Sequence, residues 1–315
     1  KDGLRQLCSE YQILKRKFGM NEIDYRNFNI IPNAIDEFSK ETQLSVYQKM
    51  AEARIFEQFI VKASSSGKFS IKIHMSSGQE GVGAAIGETA WMYQIFAQHR
   101  AMDLYLSLGG PVDKLRDEIM CLDSGCCGGK IGGAFQYFGN GRRLYAHTGF
   151  IGENISVGVG AALGNGEKTL CFFGDGAAEE DYALTAYGFA ATHKLPVLFI
   201  CTDNNLSVLS PKSKRRSWNL VEVAKGFGLQ ALELSDDPFT LMHYIKQFDN
   251  NLPALINCHV CRNYWHAGVG VDGAAPWDRF AMIREELIKR GFEDELTIID
   301  AQATKKMEEA WKPYL

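Results

Sequence analysis

The chain has 315 residues, 46% of them hydrophobic, and its 34 basic against 38 acidic side chains leave a formal net charge of −4. This is enough for one large or two ordinary domains with a real core. The balance of charge excludes a polybasic partner for nucleic acid or membrane surfaces, and no run reaches the roughly 18 apolar residues of a membrane span. The amino terminus, KDGLRQLCSE, lacks the hydrophobic region of a signal peptide, and the eight cysteines sit largely within apolar runs. A soluble protein of a reducing compartment, cytoplasm or organelle matrix, is expected.

In chain order, residues 1–66 form an amino-terminal helical extension, with apolar residues at helical spacing in VYQKMAEARIFEQFI and a breaker at SSSGK. The remainder, residues 67–315, reads as one α/β unit that closes in carboxy-terminal helices. GQEGVGAAIGETAWM begins a helix of small residues, and residues 128–141 read as a glycine-rich loop with little regular structure. From residue 152 the pattern alternates: GENISVGVGAAL helix, TLCFF strand, EEDYALTAYGFAATHK helix, PVLFICTDNN strand, LVEVAKGFG helix, LQALEL strand, DPFTLMHYIKQF helix, PALINCHV strand. Strands alternating with helices of this length specify βαβ units, hence a parallel sheet flanked by helices on both faces. An extended strand sends Cys258 and Cys261 of CHVC to opposite faces, which argues against a zinc clip there. The basic knot KSKRR, residues 212–216, reads as a solvated loop.

Ligands of open α/β sheets bind beyond the carboxyl ends of the strands. Three strands end there in GDG, TDNN and VCRNYWH, which delivers Asp175, Asn204 and Arg262 to one edge. A carboxylate and an amide oxygen are hard donors of the kind Mg²⁺ prefers, and Gly174 and Gly176 let backbone approach a phosphate. These features suit a metal-bridged diphosphate. They also suit a nucleotide, although neither GxxxxGK[ST] nor a junctional GxGxxG is present.

The run GDGAAEEDYALTAYGFAATHKLPVLFICTDNN resembles the thiamine-diphosphate signature, from GDG to an Asn about thirty residues on. Over nearly all of residues 40–312 the chain resembles the alpha subunit of the 2-oxo acid dehydrogenases that feed lipoyl-dependent complexes. EARIFEQ is similar to that family's R-x-x-E helix, HMSSGQEG to H-x-x-x-G-Q-E-A, HRAMD to Y-R-x-H, HTGFIGENI to its G-x-[IV]-G segment and CRNYWH to Y-R-Y-x-G-H.

The resemblance implies a thiamine-diphosphate-binding fold and a set of roles. Asp175, Asn204 and the carbonyl of Leu206 would hold Mg²⁺. Arg100 and Arg262 would meet the diphosphate, with His99, Gly176 and Ala177 also against the cofactor, and the backbone at Gly149 and Ile151 would face its aminopyrimidine. His74 and His266 would be the catalytic residues beside a small 2-oxo acid. Departures fall on the substrate side: Met102 and Phe135 stand where the family places histidines, Trp265 replaces a small Gly, and Ala267 replaces a serine. The resemblance further implies a beta-type subunit that supplies the activating glutamate in an α₂β₂ assembly, with GQEGVGAAIG and GENISVGVGAAL as the packing surfaces, and a lipoyl-bearing acyltransferase as acceptor. Two other readings remain at this point: the diphosphate-binding half of a split transketolase-type enzyme, and a non-catalytic scaffold.

Overall fold

The structure, a computed structural model, describes residues 23–65, 73–130, 134–146, 149–271 and 273–315. The expected boundary between residues 66 and 67, and the first third of the helical extension, lie outside them. A long helix, α1 (Lys40–Ser64), starts at Ser39, whose hydroxyl accepts from the Thr42 amide at 3.3 Å. It is followed by α2 (Glu80–Thr89), β1 (Gln94–Ala97), α3 (Met102–Ser107) and α4 (Val112–Ile119). The alternating part comprises β2 (Tyr137–Gly139), β3 (Arg142–Tyr145), α5 (Glu153–Asn165), β4 (Thr169–Gly174), α6 (Asp181–His193) and β5 (Val197–Asp203). Short β6 (Leu206–Ser207), β7 (Ser210–Pro211) and α7 (Lys212–Arg215) precede α8 (Leu220–Gly226), β8 (Gln230–Ser235), α9 (Pro238–Phe248) and β9 (Ala254–His259). Helices α10 (Arg279–Lys289) and α11 (Glu293–Trp311) complete the order.

Seven strands form one sheet in the order β2-β3-β1-β4-β5-β9-β8, parallel throughout except for the β2–β3 pair. The apolar runs of β4, β5 and β9 are buried on both faces, as parallel strands require, and their residues divide by parity. Leu170, Phe172, Leu198, Ile200 and Ile256 face a core completed by α1, α2, α9, α10 and α11. Cys171, Phe173, Val197, Phe199 and Leu255 face a second core under α5, α6 and α8.

One expectation gains detail and one requires correction. Among its described residues, the glycine-rich stretch 128–141 has regular structure only at its end, which forms the first strand of a hairpin, turned by Asn140 (φ 50) and Gly141 (φ 76) between β2 and β3. An Asn-Gly pair with both residues left-handed is the turn that matches strand twist. Helix α2 is not a surface for a partner, because it is buried within its own chain. Its glycines are there for close approach: a Cβ on Gly81 would lie 2.5 Å from the Asp236 carbonyl oxygen, and one on Gly87 would lie 2.7 Å from that of Ser107. Helix α5, by contrast, leaves Val157 and Leu163 about half exposed, beside Phe150, Tyr182 and Phe189.

Candidate active site

The strand order sets β1, β4, β5 and β9 side by side, so their carboxyl ends form one edge. His99 and Arg100 follow β1, Asp175 follows β4, Asn204 follows β5, and Arg262 and His266 follow β9. The amino end of α5 is docked onto this edge by Asn154, whose amide donates to the carbonyls of Phe96 (3.0 Å) and Phe172 (2.9 Å). Gln98 ties β1 to β5 through the Thr202 hydroxyl at 3.0 Å.

Asp175 is 1% exposed, and burial together with the neighbouring Asp203 carboxylate pushes its carboxyl above the ordinary range. A buried carboxylate needs a cation, and Arg215 supplies one. Its Nη2 donates to Asp175 Oδ2 while its Nη1 reaches Glu179 Oε1 at 2.6 Å. Lys212 pairs in the same way with Asp203. The basic knot is therefore not a solvated loop: α7 lies over the ends of β4 and β5 and neutralises two buried acids. No local pattern in KSKRR signals this; the available hint is that the knot closely follows a strand that ends in a carboxylate, Asp203.

Asn204 Oδ1 accepts from the Leu206 amide at 3.1 Å, which folds the chain back over the strand end. The reversal continues through Asn205 (φ 66) and Val208 (φ 54), a left-handed conformation that is costly for a β-branched residue. The Val208 carbonyl accepts from Arg262 Nη1 at 2.9 Å. The oxygen donors at positions 175, 204 and 206 suit a hard divalent ion, and a guanidinium stands on Asp175 as a stand-in cation. The donor set thus fits Mg²⁺, with Arg215 as the group the ion would replace.

Arg100 is 5% exposed; its Nη1 donates to the Met75 carbonyl and its Nη2 to that of His266 at 3.1 Å. Burial, reinforced by the like charge of Arg262, lowers it to about 10. Two guanidinium groups that repel one another, one buried and one partly exposed, favour an anion such as a diphosphate. Gly149 (φ 119) has open space where a Cβ would stand, and the Ile151 carbonyl accepts from the Tyr182 hydroxyl. Gly176 and the buried Ala177 follow Asp175 directly in the turn. Residues 147 and 148 of HTGFIGENI lie outside the described residues.

The structure brings His74, His99 and His266 together, although they come from three separate segments. Ring centroids are 4.3 Å apart for His74 and His99, 5.0 Å for His74 and His266, and 5.7 Å for His99 and His266. The segment carrying His74 is held from below by α1. Glu57, 1% exposed, accepts from the amides of Ser76 and Ser77 (2.8 Å to the latter) and from the Ser77 hydroxyl. Burial raises its carboxyl to about 7. Arg54, one turn before, clamps Glu80 and meets Asp278 bidentately at 2.9 and 3.0 Å. The motif EARIFEQ therefore works as a brace, a role its sequence did not disclose. Asp103, fully buried behind Arg100 with Gln79 Nε2 at 3.3 Å, is raised to about 8 chiefly by desolvation. Trp265 is half exposed beside His266, its amide donating to the Gly270 carbonyl at 2.7 Å.

Comparison with known proteins bears on this geometry directly. Residues 47–268, well over half of the chain, match the family model described as dehydrogenase E1 component. The alpha subunits of acetoin:2,6-dichlorophenolindophenol oxidoreductase from Cupriavidus necator and Bacillus subtilis are 26% and 25% identical, over 72% of each chain in both cases. The pyruvate dehydrogenase E1 component subunit alpha of Rhizobium meliloti is 30% identical over 55% of this chain and 51% of its own. The chain belongs to the dehydrogenase E1 component family.

Proposed function

We propose that this chain is the alpha-type subunit of a thiamine-diphosphate- and Mg²⁺-dependent 2-oxo acid dehydrogenase. The observation that carries the reading is the convergence on one sheet edge of an oxygen-donor set (Asp175, Asn204, Leu206), two like-charged guanidiniums (Arg100, Arg262) and three imidazoles. Bound thiamine diphosphate supplies the nucleophilic carbon and the electron sink needed to break the bond to a carboxylate. The rest falls to this chain. Asp175 and Asn204 hold the metal that anchors the diphosphate, Arg100 and Arg262 balance its remaining charge, and Gly149 and Ile151 present backbone to the ring. His74 and His266 stand at the end of the diphosphate edge, where they hydrogen-bond the substrate carboxylate and exchange protons. His99 and Trp265 complete the wall, and Trp265 restricts which 2-oxo acids enter.

The partner reading follows from which half of the cofactor the motifs of this chain account for. Activation of the aminopyrimidine needs a carboxylic acid at the far end of the cofactor, and the motifs here account for the diphosphate half. A beta-type subunit supplies it, docked on the exposed apolar face of α5 and α6 that includes Val157, Leu163 and Phe189, with Phe150 just ahead of α5. The acyl group then passes to an acceptor such as lipoyl. Among the described residues no helix is long and apolar enough to cross a membrane.

The test is calorimetric titration of the chain, alone and with a beta-type subunit, with thiamine diphosphate and Mg²⁺, followed by a screen of 2-oxo acids. Metal-dependent cofactor binding, with turnover only in the mixed assembly, is expected. A folded chain that binds cofactor equally well with Mg²⁺ or EDTA would refute the metal assignment, and full turnover by the pure chain would refute the partner.

A further inference from the structure

The three histidines are arranged in a way that a proton-transfer role does not require. Each offers a ring nitrogen, and these nitrogens all lie within 4.8 Å of one another. For imidazoles bound tetrahedrally to one zinc-sized ion at about 2.0–2.1 Å, ring centroids would be about 5.2 Å apart. The observed separations, 4.3, 5.0 and 5.7 Å, scatter around that value. The rings meet at interplanar angles of 63°, 69° and 73°, so none stacks on another. All three are partly accessible, which leaves a path for an ion and a fourth position for water.

We propose that in the cofactor-free chain His74, His99 and His266 form a binding site for a borderline divalent transition ion of the zinc class, separate from the oxygen-donor set at Asp175 and given up when a substrate takes the same imidazoles. The chemistry separates the two sites. Neutral imidazole suits Zn²⁺, Co²⁺ or Ni²⁺ and is a poor ligand for Mg²⁺, whereas carboxylate and amide oxygens have the opposite preference. Against the ion stands Arg100, next to His99 in sequence and bonded through Nη2 to the His266 carbonyl. Its charge weakens binding, so the site is one of about micromolar rather than nanomolar affinity.

Titration of the 315-residue chain with Zn²⁺ by calorimetry, and with Co²⁺ by visible absorption, tests the site without any cofactor and in excess Mg²⁺. One ion per chain is expected, with the visible bands of tetrahedral Co²⁺ bound to nitrogen. His99→Gln, at a half-buried position that tolerates an amide, should weaken binding about a hundredfold while leaving the circular dichroism unchanged. Binding weaker than about 100 μM, or undiminished in His99→Gln, would overturn the proposal. So would a thiolate-to-cobalt charge-transfer band, which would place the ion on Cys126 and Cys127, the other candidate cluster, with Glu118. Because Zn²⁺ binding is read without cofactor, its success or failure is distinct from that of the thiamine-diphosphate reading.

Discussion

Replacing Arg215 by glutamine removes the cation from Asp175 and leaves everything else at the strand ends in place. The pair is sequestered, with side-chain exposures of 13% for Arg215 and 2% for Asp175, and breaking such a pair from one side costs about 3–5 kcal/mol because a buried charge is left uncompensated. Lys212 also acts on Asp175 and offsets part of the loss, which puts the expected cost near the lower end, at about 3 kcal/mol. In a chain of this size that corresponds to a fall in melting temperature of about 4–5 °C. The informative part is its metal dependence. If Asp175 holds Mg²⁺, the ion replaces the lost guanidinium, so the deficit of Arg215→Gln measured in EDTA should close as Mg²⁺ and thiamine diphosphate are added. The variant should also bind Mg²⁺ about tenfold more tightly than the parent, because no side chain has to be displaced. Thermal unfolding with and without EDTA, together with Mn²⁺ titration followed by electron paramagnetic resonance, reads both effects. A deficit that persists at saturating metal and cofactor would show that Asp175–Arg215 is a structural ion pair, and the metal assignment would fall.

Asp103 and Glu57 are held at about 8 and about 7, above their unfolded values, so the native chain retains protons that the unfolded chain has lost. Their contribution is greatest below the unfolded values near 4 and is lost as pH rises through 7–8; Asp103→Asn should remove about 2 kcal/mol of the decline between pH 6 and 8.5, measured by urea unfolding. An unchanged decline would mean that Asp103 is not the buried acid responsible. Glu57→Gln turns an amide toward the Ser76 and Ser77 N–H groups and should cost about 2–3 kcal/mol, with cofactor affinity falling as the His74 segment loosens. Gly87→Ala gains up to about 1 kcal/mol of helix propensity but presses a methyl against a backbone oxygen, and should lower the urea midpoint with an unchanged slope. Trp265→Gly should broaden the range of 2-oxo acids turned over by the complete assembly, and an identical substrate profile would remove Trp265 from the pocket wall.

Much of this architecture is readable from the linear chain, and for definite reasons. Parallel strands covered on both faces must be continuous apolar runs, which is why TLCFF and VLFIC identify themselves. A polar residue terminating such a run cannot belong to the core, and the edge rule for open sheets then assigns Asp175, Asn204 and Arg262 to one place before any contact is known. The family was legible as a resemblance, carried by six motifs in order from EARIFEQ to CRNYWH and not by the strand ends alone, and the family model over residues 47–268 agrees with it. Strand order was beyond that reach. β1 inserts between β3 and β4 although it precedes both, and this crossover brings His99 and Arg100 beside residues more than 160 positions later. The burial of α2, the three converging imidazoles and the placing of Arg215 on Asp175 depend likewise on which segments meet and which way side chains point. Small residues in a helix record only that something approaches closely; whether it is the chain's own backbone, as for Gly81 and Gly87, or a partner is decided by packing between distant segments. A basic cluster similarly records charge but not its counter-charge, since the free energy that seats Arg215 comes from a carboxylate forty residues earlier, buried by the closing of the sheet.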